Sequence, residues 1–350
     1  MNFPLGDKEL RIGILGMTEG NGHPYSWSAM FNGYNKEAME DCGFPVIPRY
    51  LEKQPKETFG VRGAKVTHVW CDDPENAKKV AKASLIPNIL EKPEDCIGHV
   101  DAVIIGTDQG WDHVERAEKF IEAGLPVFID KPLVGNLKDA RKLVELVNAG
   151  AKILGSSALR YCYEVQNVHA SLEENNAKIL HVNVSVGTNE YDYAIHAYEM
   201  ICALLKDRPV DARYMGTASI DGHACDSYFF NFACGATAVI NNVTPKHTNF
   251  HTTILTDVRA ADACFTVDAS KLYEAMLKEV CSELEGKENL LAPIADQMIP
   301  VKAALACKAS KLAGGKTISL DDPCLEDVAF DGYAFEESYG AAAAKSYLNP

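Results

Sequence analysis

A regular alternation of short apolar runs and amphipathic segments constrains the fold of this chain more than any other feature. The apolar runs have the length of buried strands and lie at residues 10–15, 66–71, 100–105, 125–129 and 151–154. Segments with helical patterns lie between most of them, at residues 75–83, 113–123 and 137–149. Since strand–helix–strand units bring consecutive strands into parallel alignment, the pattern predicts a doubly wound parallel sheet. A proline-containing stretch at residues 33–63 is predicted to be an irregular inserted loop.

The pattern changes after about residue 178. Strand-like segments then follow with few helices between them, at residues 178–186, 213–220, 227–233, 237–243, 250–256 and 264–267. Consecutive strands of this kind form antiparallel sheets, and helical patterns at residues 272–284 and 294–312 would cover one face. The predicted fold class is therefore α/β. We expect a doubly wound domain at residues 1–134 and an α+β domain with a large, mostly antiparallel sheet at residues 135–350.

The composition argues against several classes of partner. A net charge of −15 over 350 residues disfavours nucleic acid and anionic membrane surfaces. No apolar stretch approaches the roughly 20 residues of a membrane span, and the N-terminus lacks the basic and apolar regions of a secretory signal. The 11 cysteines include no Cys-x-x-Cys pair, which favours buried free thiols over zinc sites or disulfides. We therefore expect a cytoplasmic protein without a bound metal.

A glycine-rich segment, from Gly16 to Gly22, follows the first apolar run. Glycines at this place let backbone amides approach a pyrophosphate, and the N-terminus of the next helix adds a favourable dipole. The spacing departs from G-x-G-x-x-G, because Thr18 and Asn21 stand at the second and third glycine positions. The segment predicts a dinucleotide site that includes Gly16, Thr18 and Glu19, and the alternative is a plain turn.

Two acids, Asp72 and Asp73, end the second predicted strand. A carboxylate at this place can accept hydrogen bonds from both ribose hydroxyls of an adenosine. A second acid beside it would repel a 2′-phosphate, so NAD is favoured over NADP. The insertion at residues 33–63 makes the distance from the glycine-rich segment longer than the usual spacing of about 20 residues.

The sequence Asp130-Lys131-Pro132 directly follows the apolar run at residues 125–129. Proline cannot extend a sheet ladder, so the strand must end there. Lys131 is thereby predicted at the carboxyl end of a buried strand, where open α/β sheets bind their ligands. It could hydrogen-bond a substrate hydroxyl, steady a carbonyl or relay a proton. The alternative is a lysine that only solvates the end of a strand.

Asp192 and His196 stand four residues apart in a segment with a helical pattern, which would place them on one helix face. A carboxylate near an imidazole orients it and favours its protonated form, which suits a general base at neutral pH. With Lys131, the pair makes a plausible proton-handling cluster. The alternative is a helical histidine that only satisfies a hydrogen bond.

Together these motifs resemble the glucose–fructose oxidoreductase / inositol dehydrogenase family (Gfo/Idh/MocA), and the resemblance covers nearly the whole chain. Three family motifs have counterparts here, namely Asp130-Lys131-Pro132 for Glu-Lys-Pro, Asp192 with His196 for Asp-x-x-x-His, and Arg160-Tyr161 for Arg-Phe/Tyr. The resemblance implies an NAD-binding Rossmann domain followed by a domain for substrate binding and oligomerisation.

The resemblance also implies hydride transfer between a nicotinamide and a hydroxyl-bearing carbon of a sugar, sugar derivative or cyclitol. His196 would take the hydroxyl proton, Lys131 would stabilise the developing charge on the oxygen, and Asp192 would orient His196 or bind a neighbouring hydroxyl. The further site residues it implies are Thr107, Asp130 and Lys131 near the cofactor, and Arg160, Tyr161, Tyr193 and Trp111 near the substrate. A homodimer or homotetramer is expected, joined through the sheet of the second domain.

The chain departs from the family pattern in two places. The glycine-rich loop is longer and contains Glu19, His23 and Trp27, and residues 189–191 stand where the family has Gly-Gly. These departures bear on the identity of the substrate and not on the type of reaction.

Three other functions remain open at this stage. A redox-neutral enzyme would hold its NAD, oxidise a sugar carbon, allow elimination and then reduce the carbon again, using the same residues. A non-catalytic sensor of sugars or nucleotides would need neither Lys131 nor His196. A metal enzyme would use the dense cluster at residues 221–226, although Asp221-Gly222 is ordinary turn chemistry.

Overall fold

The computed structural model describes residues 4–6, 8–189, 191, 193–244 and 250–334. The strands of the first sheet are β1 (Arg11–Leu15), β2 (Lys65–Trp70), β3 (Asn88–Ile89), β4 (Ala102–Ile105), β5 (Val127–Ile129) and β6 (Ile153–Leu154). They lie in the order β3-β2-β1-β4-β5-β6, and each neighbouring pair is parallel. This is the strand order of a dinucleotide-binding doubly wound sheet, and it confirms the predicted fold class.

Helices connect these strands, namely α1 (His23–Asn32), α2 (Lys36–Glu40), α3 (Val46–Glu52), α4 (Pro74–Ala83), α5 (His113–Glu122) and α6 (Leu137–Asn148). The prediction of an irregular loop at residues 33–63 is wrong, because α2 and α3 lie there. Pro45 precedes α3 and Pro48 occupies its first turn, where no intrahelical N–H bond is lost. The buried side chains of Met39 and Leu51 pack this insertion onto the core.

The second half of the chain contains α7 (Tyr163–Asn175), β7 (Ile179–Gly187), α8 (Ala194–Leu205), β8 (Pro209–Ile220), β9 (His223–Phe232), β10 (Thr237–Thr244), β11 (His251–Thr256), β12 (Ala263–Thr266), α9 (Leu272–Glu285), α10 (Ile294–Leu312) and β13 (Ile318–Ser319). Its sheet has the order β12-β11-β7-β10-β9-β8-β13. β7 and β10 are parallel, and the other pairs are antiparallel, so the prediction of a mostly antiparallel sheet is confirmed.

One face of the second sheet is buried. Val182, Val184 and Val186 alternate along β7 and are fully buried, as are Phe230 and Ile240 on neighbouring strands. This period of two is what a strand with one covered face requires. In the part of the chain that the structure describes, no helix has both the length and the apolar character needed to cross a membrane.

The two halves meet where the loops after β1 and β5 approach the first turns of α8 and α9. His23 and Tyr273 are hydrogen-bonded across this junction, and Lys131 lies over the ring of Tyr193. The carboxyl edge of the parallel sheet is therefore covered by the second half of the chain, which creates an enclosed site at the place where such sheets bind ligands.

Candidate functional site

The loop after β1 packs closely against the loop after β4. Gly16 has a φ of 85°, and a Cβ atom on it would lie 2.8 Å from Cγ2 of Thr107. Only glycine fits this conformation beside the loop after β4 without strain. The Thr18 hydroxyl accepts a hydrogen bond from the Asp108 amide at 3.2 Å, which ties the two loops together. The structure thus brings Gly16, Thr18 and Thr107 to one place.

Helix α1 begins beside this loop. Its N-cap is Gly22, which has no side chain to cap the helix, and the first turn contains no acidic residue. The His23 amide donates a hydrogen bond to Oδ1 of Asn21 at 2.9 Å and Pro24 has no N–H, so it is chiefly the helix dipole that favours an anion at this end. A pyrophosphate is the anion that the doubly wound sheet places there.

The two acids after β2 have different environments. Asp72 Oδ2 lies 3.8 Å from the position of a Cβ atom on Gly16, and Asp72 Oδ1 accepts a hydrogen bond from Arg116 at 2.8 Å. Asp73 caps α4 by accepting a hydrogen bond from the Glu75 amide at 2.9 Å. Asp72 is therefore the acid that faces the glycine-rich loop. Glu19, the remaining acid of the predicted nucleotide site, is exposed on that loop.

Lys131 is buried at the end of β5. Its Nζ lies 3.2 Å from Oδ2 of Asp108, and the side chains of Lys131 and Asp108 are only 4% and 1% exposed. The Nζ is also 5.8 Å from the centre of the Tyr193 ring. Asp130 accepts a hydrogen bond from the Lys131 amide at 2.6 Å. The lysine is thus held inside the site and does not simply solvate the strand end.

Sequence analysis missed Asp108 as a site residue. The signal was available, because Asp108 stands three residues after the end of β4 and Lys131 stands two residues after the end of β5. Adjacent parallel strands end at the same edge of a sheet, so acids and bases that follow them are brought together.

His196 lies in the first turn of α8 and is buried. Its Nδ1 is 2.6 Å from Oγ of Ser157, and its ring makes edge contacts with Tyr193 and Phe250. Burial lowers the pKa of His196 well below its usual value, and the nearby charges of Lys131 and His23 lower it further. The imidazole is therefore neutral and can accept a proton. Asp192, its predicted partner, lies outside the described residues.

His23 is a second histidine at the site. Its Nδ1 lies 2.5 Å from Oδ2 of Asp130, its Nε2 lies 2.9 Å from the hydroxyl of Tyr273, and its ring stacks on Trp27 at 4.4 Å. Sequence analysis noted His23 and Trp27 only as departures from a family pattern. Tyr273 carries no local signal, because it stands 250 residues from His23 in the chain.

Three predicted substrate residues make their main contacts elsewhere among the described residues. Arg160 donates from Nε to Glu199 at 2.6 Å, in a buried ion pair. The Tyr161 hydroxyl donates to the carbonyl of Gly155 and accepts from the Ala292 amide. Both residues therefore have structural partners that the Arg-Tyr motif does not reveal.

Trp111 also has a packing partner. Its ring lies 4.0 Å from the ring of Tyr333, and a Cβ atom on Gly332 would overlap its indole. The chain near its C-terminal end thus folds back over the loop after β4. Tyr193, in contrast, lies beside Lys131 and His196.

The described residues contain no group of three or more His, Cys, Asp or Glu side chains arranged to hold a metal ion. Asp221 and Gly222, from the one dense cluster in the sequence, form the turn between β8 and β9, and both have positive φ values. Such a turn matches the twist of the two strands.

Comparison with known proteins agrees with this geometry. Residues 42–158 match the family model described as "Oxidoreductase family, NAD-binding Rossmann fold". A search of curated proteins gives no match. The matched residues contain strands β2 to β6, and the match agrees with the resemblance to the Gfo/Idh/MocA family seen in the sequence.

Several solved structures share the fold. The scyllo-inositol dehydrogenase from Lactobacillus casei, crystallised with NAD(H) and scyllo-inositol, is 13% identical with a TM-score of 0.68, over 90% of this chain and 100% of that chain. The myo-inositol dehydrogenase from the same organism is 15% identical with a TM-score of 0.68, over 91% and 100%. A probable dehydrogenase from Thermotoga maritima is 14% identical with a TM-score of 0.67, over 89% and 99%. At these identities the likeness shows the fold alone.

Proposed function

We propose that this protein is an NAD-dependent dehydrogenase that acts on a CH–OH group of a sugar, sugar derivative or cyclitol. The observation that carries the proposal is the enclosed cluster at the carboxyl edge of the parallel sheet, where a buried lysine and a neutral buried histidine lie with Tyr193 between them. The inositol dehydrogenases among the structural neighbours support this class of substrate.

The residues present fit a bound NAD. The close approach at Gly16 and the N-terminal dipole of α1 suit the pyrophosphate, and Asp72 would hold the adenosine ribose. Thr107 and Lys131 would lie near the nicotinamide end. When bound, NAD supplies the hydride acceptor for oxidation of the substrate carbon. The division of the chain into an NAD-binding domain at residues 1–134 and a second domain at residues 135–350 is part of the same proposal.

The chain supplies the proton chemistry. Oxidation of an alcohol requires loss of the hydroxyl proton, and Nε2 of neutral His196 accepts it when Nδ1–H donates to Ser157. Lys131 donates a hydrogen bond to the same oxygen and stabilises its developing negative charge in a site from which water is largely excluded. Asp192 lies outside the described residues, and the resemblance to the family would give it the role of orienting His196 or binding a neighbouring hydroxyl.

Substrate contacts begin with Tyr193, whose ring lies between Lys131 and His196. We also propose that the substrate contacts Arg160, Tyr161 and Trp111. Together with their packing partners, these residues form part of the wall of the site. The other hydroxyls of a polyhydroxylated ligand would be bound by residues around the catalytic pair.

The test uses the purified protein with NAD and a panel of polyols, sugars and inositols, with NADH absorbance as the readout. We expect NADH formation with at least one compound, and a loss of about 10²–10³-fold in kcat in the Lys131→Ala variant. Lys138→Ala, an exposed lysine on α6, is the matched control and should keep full activity. Full turnover by Lys131→Ala would exclude the mechanism.

The same assay separates the dehydrogenase from a redox-neutral enzyme. Product formation from a glycoside without added NAD and without net NADH would replace the present proposal with oxidation followed by elimination. Binding of NADH with no turnover of any kind would instead favour a sensor.

We also propose that the protein is a homodimer or homotetramer joined through the second sheet. Its open face carries a hydrogen-bonded row of small polar side chains, in which Asn241 links Ser227 and Asn183 at 2.7 and 2.9 Å. Leu255 is half exposed on a neighbouring strand. Light scattering checks this proposal, and a monomer at assay concentrations would contradict it.

A further inference from the structure

Tyr191 lies in the turn that leads into α8, and its side chain is buried. Its carbonyl accepts a hydrogen bond from the Ile195 amide at 3.1 Å, which ties it to the first turn of that helix. His196, the proposed general base, is the next residue in the chain. A shift of Tyr191 therefore moves the helix turn that carries the imidazole, although the proposed reaction assigns Tyr191 no role.

The side chain of Tyr191 reaches two loops of the parallel sheet. Its hydroxyl donates a hydrogen bond to the carbonyl of Gln109 at 3.2 Å, in the loop after β4. A Cβ atom on Gly110 would lie 2.1 Å from the phenol oxygen, and one on Gly135, in the loop after β5, would lie 2.9 Å from it. Gly110 also has a φ of 72°, which favours glycine. Both loops thus have glycine where the phenol lies, and a larger residue at either place would displace it.

The aromatic ring of Phe330 covers the ring of Tyr191. The ring centres are 4.4 Å apart and the planes differ by 17°, so the two rings are stacked. The Phe330 amide donates to the carbonyl of Gly135 at 2.9 Å, and Nζ of Lys308 lies 4.7 Å from the centre of the Phe330 ring. Phe330 is therefore fixed to one of the same two glycines and holds the phenol against the loops.

The contacts of Tyr191 connect the two proposed catalytic groups. Gln109 directly follows Asp108, whose Oδ2 lies 3.2 Å from Nζ of Lys131. At its other end, Tyr191 is bonded to the helix turn that contains His196. A base and a lysine that act on one substrate oxygen must both lie within hydrogen-bond reach of it. A misplacement of about 1 Å can cost about 10²-fold in rate, so the separation of these two groups matters for turnover.

We propose that Tyr191 is a positioning residue that locks the first turn of α8 to the loops after β4 and β5, and that Phe330 holds this lock closed. The lock keeps His196 and Lys131 at the separation that one substrate hydroxyl requires. Tyr191 itself takes no part in proton transfer. The lock deepens the proposed dehydrogenase function and rests on it.

Two variants of Tyr191 test the lock with the full-length protein, NAD and whichever polyol or sugar is turned over. Tyr191→Leu removes both the hydroxyl and the stacked ring, and it should lower kcat by about 10²-fold. Tyr191→Phe keeps the ring and should recover most of that loss, with kcat within about tenfold of wild type. The KM for the substrate and the affinity for NADH, measured by fluorescence, should change less than about threefold, because the lock acts on the transition state.

Matched controls separate positioning from a loss of stability. Phe230→Leu truncates a fully buried aromatic residue on β9, and Tyr214→Phe removes a phenol hydroxyl that is hydrogen-bonded to Thr217. Both should keep kcat within about threefold of wild type, although Phe230→Leu should lower the unfolding free energy. If Phe230→Leu lowers kcat as much as Tyr191→Leu does, the effect is one of stability and the lock is overturned.

A crowded variant tests the place of the phenol directly. Gly135→Ala puts a Cβ atom 2.9 Å from the Tyr191 oxygen, which should displace the ring and lower kcat at least about tenfold. Adding Tyr191→Phe removes that oxygen, so it should raise kcat in the Gly135→Ala protein although it lowers kcat in the wild type. If Tyr191→Phe lowers kcat equally in both proteins, the phenol does not lie between the loops and the lock is overturned.

Hydrogen exchange, measured by mass spectrometry, tests the lock without a substrate. In Tyr191→Leu, the amides of residues 105–112 and 193–197 should both exchange faster than in the wild type, whereas Phe230→Leu should leave them unchanged. Unchanged exchange of both segments in Tyr191→Leu would overturn the lock even where Lys131→Ala confirms the dehydrogenase. If exchange changes as expected and no polyol is oxidised, the proposed function has failed and the connection between the two segments stands.

Discussion

The Oγ atom of Ser157 and the Nδ1 atom of His196 lie 2.6 Å apart, and both residues are buried. Ser157 also accepts a hydrogen bond from the Leu159 amide at 3.2 Å, so its oxygen is held in place by the turn that it begins. This arrangement fixes the orientation of the imidazole on α8 from outside the helix. It gives His196 a positioning partner within the described residues, where the sequence had suggested only Asp192.

Replacing Ser157 with alanine should therefore lower kcat while leaving NAD affinity unchanged. Loss of one hydrogen bond of roughly 1–1.5 kcal/mol corresponds to about a tenfold decrease. Steady-state kinetics with the best substrate of the panel measures it. Asp322→Ala is the control for loss of the side-chain cap of a turn. It removes a comparable hydrogen bond, which the Cys324 amide donates to Asp322 at 2.9 Å, in a distant part of the chain. If both variants lose kcat equally, the effect of Ser157 is on stability and not on His196.

The stability of the protein should fall as the pH decreases below 6.5. The folded-state pKa of His196 is depressed, chiefly by burial, so the unfolded chain binds a proton below its ordinary pKa of 6.5 while the folded protein does not. The stability is thus fully present above that value and decreases towards the folded pKa, with a slope of at most about 1.4 kcal/mol per pH unit for this group.

Urea unfolding at pH 7 and pH 5 checks this sign. His196→Gln should flatten the dependence of unfolding free energy on pH. His181→Gln is the matched control, since burial alone lowers the pKa of that half-buried histidine, and less strongly. An unchanged slope in His196→Gln would contradict a neutral buried imidazole.

Removing the charge of Lys131 should destabilise the protein as well as inactivate it. Lys131→Met leaves Asp108 buried without this cation, which costs roughly 3–5 kcal/mol when a buried pair is broken. Adding Asp108→Asn should recover part of the loss without recovering activity. Denaturant unfolding measures both, and Lys36→Met, from an exposed pair with Glu52, should cost much less, because solvent screens that pair. If Lys131→Met and Lys36→Met lost the same unfolding free energy, a buried ion pair between Lys131 and Asp108 would be excluded.

Much of the fold was predictable because its signals are local. The apolar run before Asp130 and Lys131 is short, bounded by a proline and continuous in its burial, so strand β5 and the place of Lys131 followed directly. The predicted bounds of α10, residues 294–312, agree with the structure, because its long helical pattern starts directly after Pro293. Insertion helices α2 and α3 were missed because they are short. In addition, Pro45 and Pro48 were taken as breakers, whereas they precede α3 and occupy its first turn.

The site was only partly predictable, because its partners are distant in the chain. Lys131 and Asp108 are 23 residues apart, Ser157 and His196 are 39 apart, and His23 and Tyr273 are 250 apart. No spacing rule links such residues, and only the order of the strands and the positions of α8 and α9 beside the first sheet bring them together. The hydrogen bonds of Tyr161 and the ion pair of Arg160 were hidden for the same reason.

The adenosine end of the site offers a prediction that separates two adjacent acids. Asp72 lies near Gly16 and is bonded to Arg116, whose Nε also donates to Asp112 at 2.5 Å. Asp73 instead caps α4. The repulsion that would exclude a 2′-phosphate should therefore come mainly from Asp72.

Asp72→Ala should raise the ratio of kcat/KM for NADP over NAD at least about tenfold, which corresponds to roughly 1.4 kcal/mol. The carboxylate that repels the phosphate is gone, and Arg116, still held by Asp112, can then pair with the phosphate. Asp73→Ala should leave the ratio unchanged and lower the unfolding free energy by about 1 kcal/mol through loss of the helix cap. Kinetics with both cofactors, together with urea unfolding, measure the two effects separately. A change of cofactor preference in Asp73→Ala and not in Asp72→Ala would mean that the second acid faces the ribose.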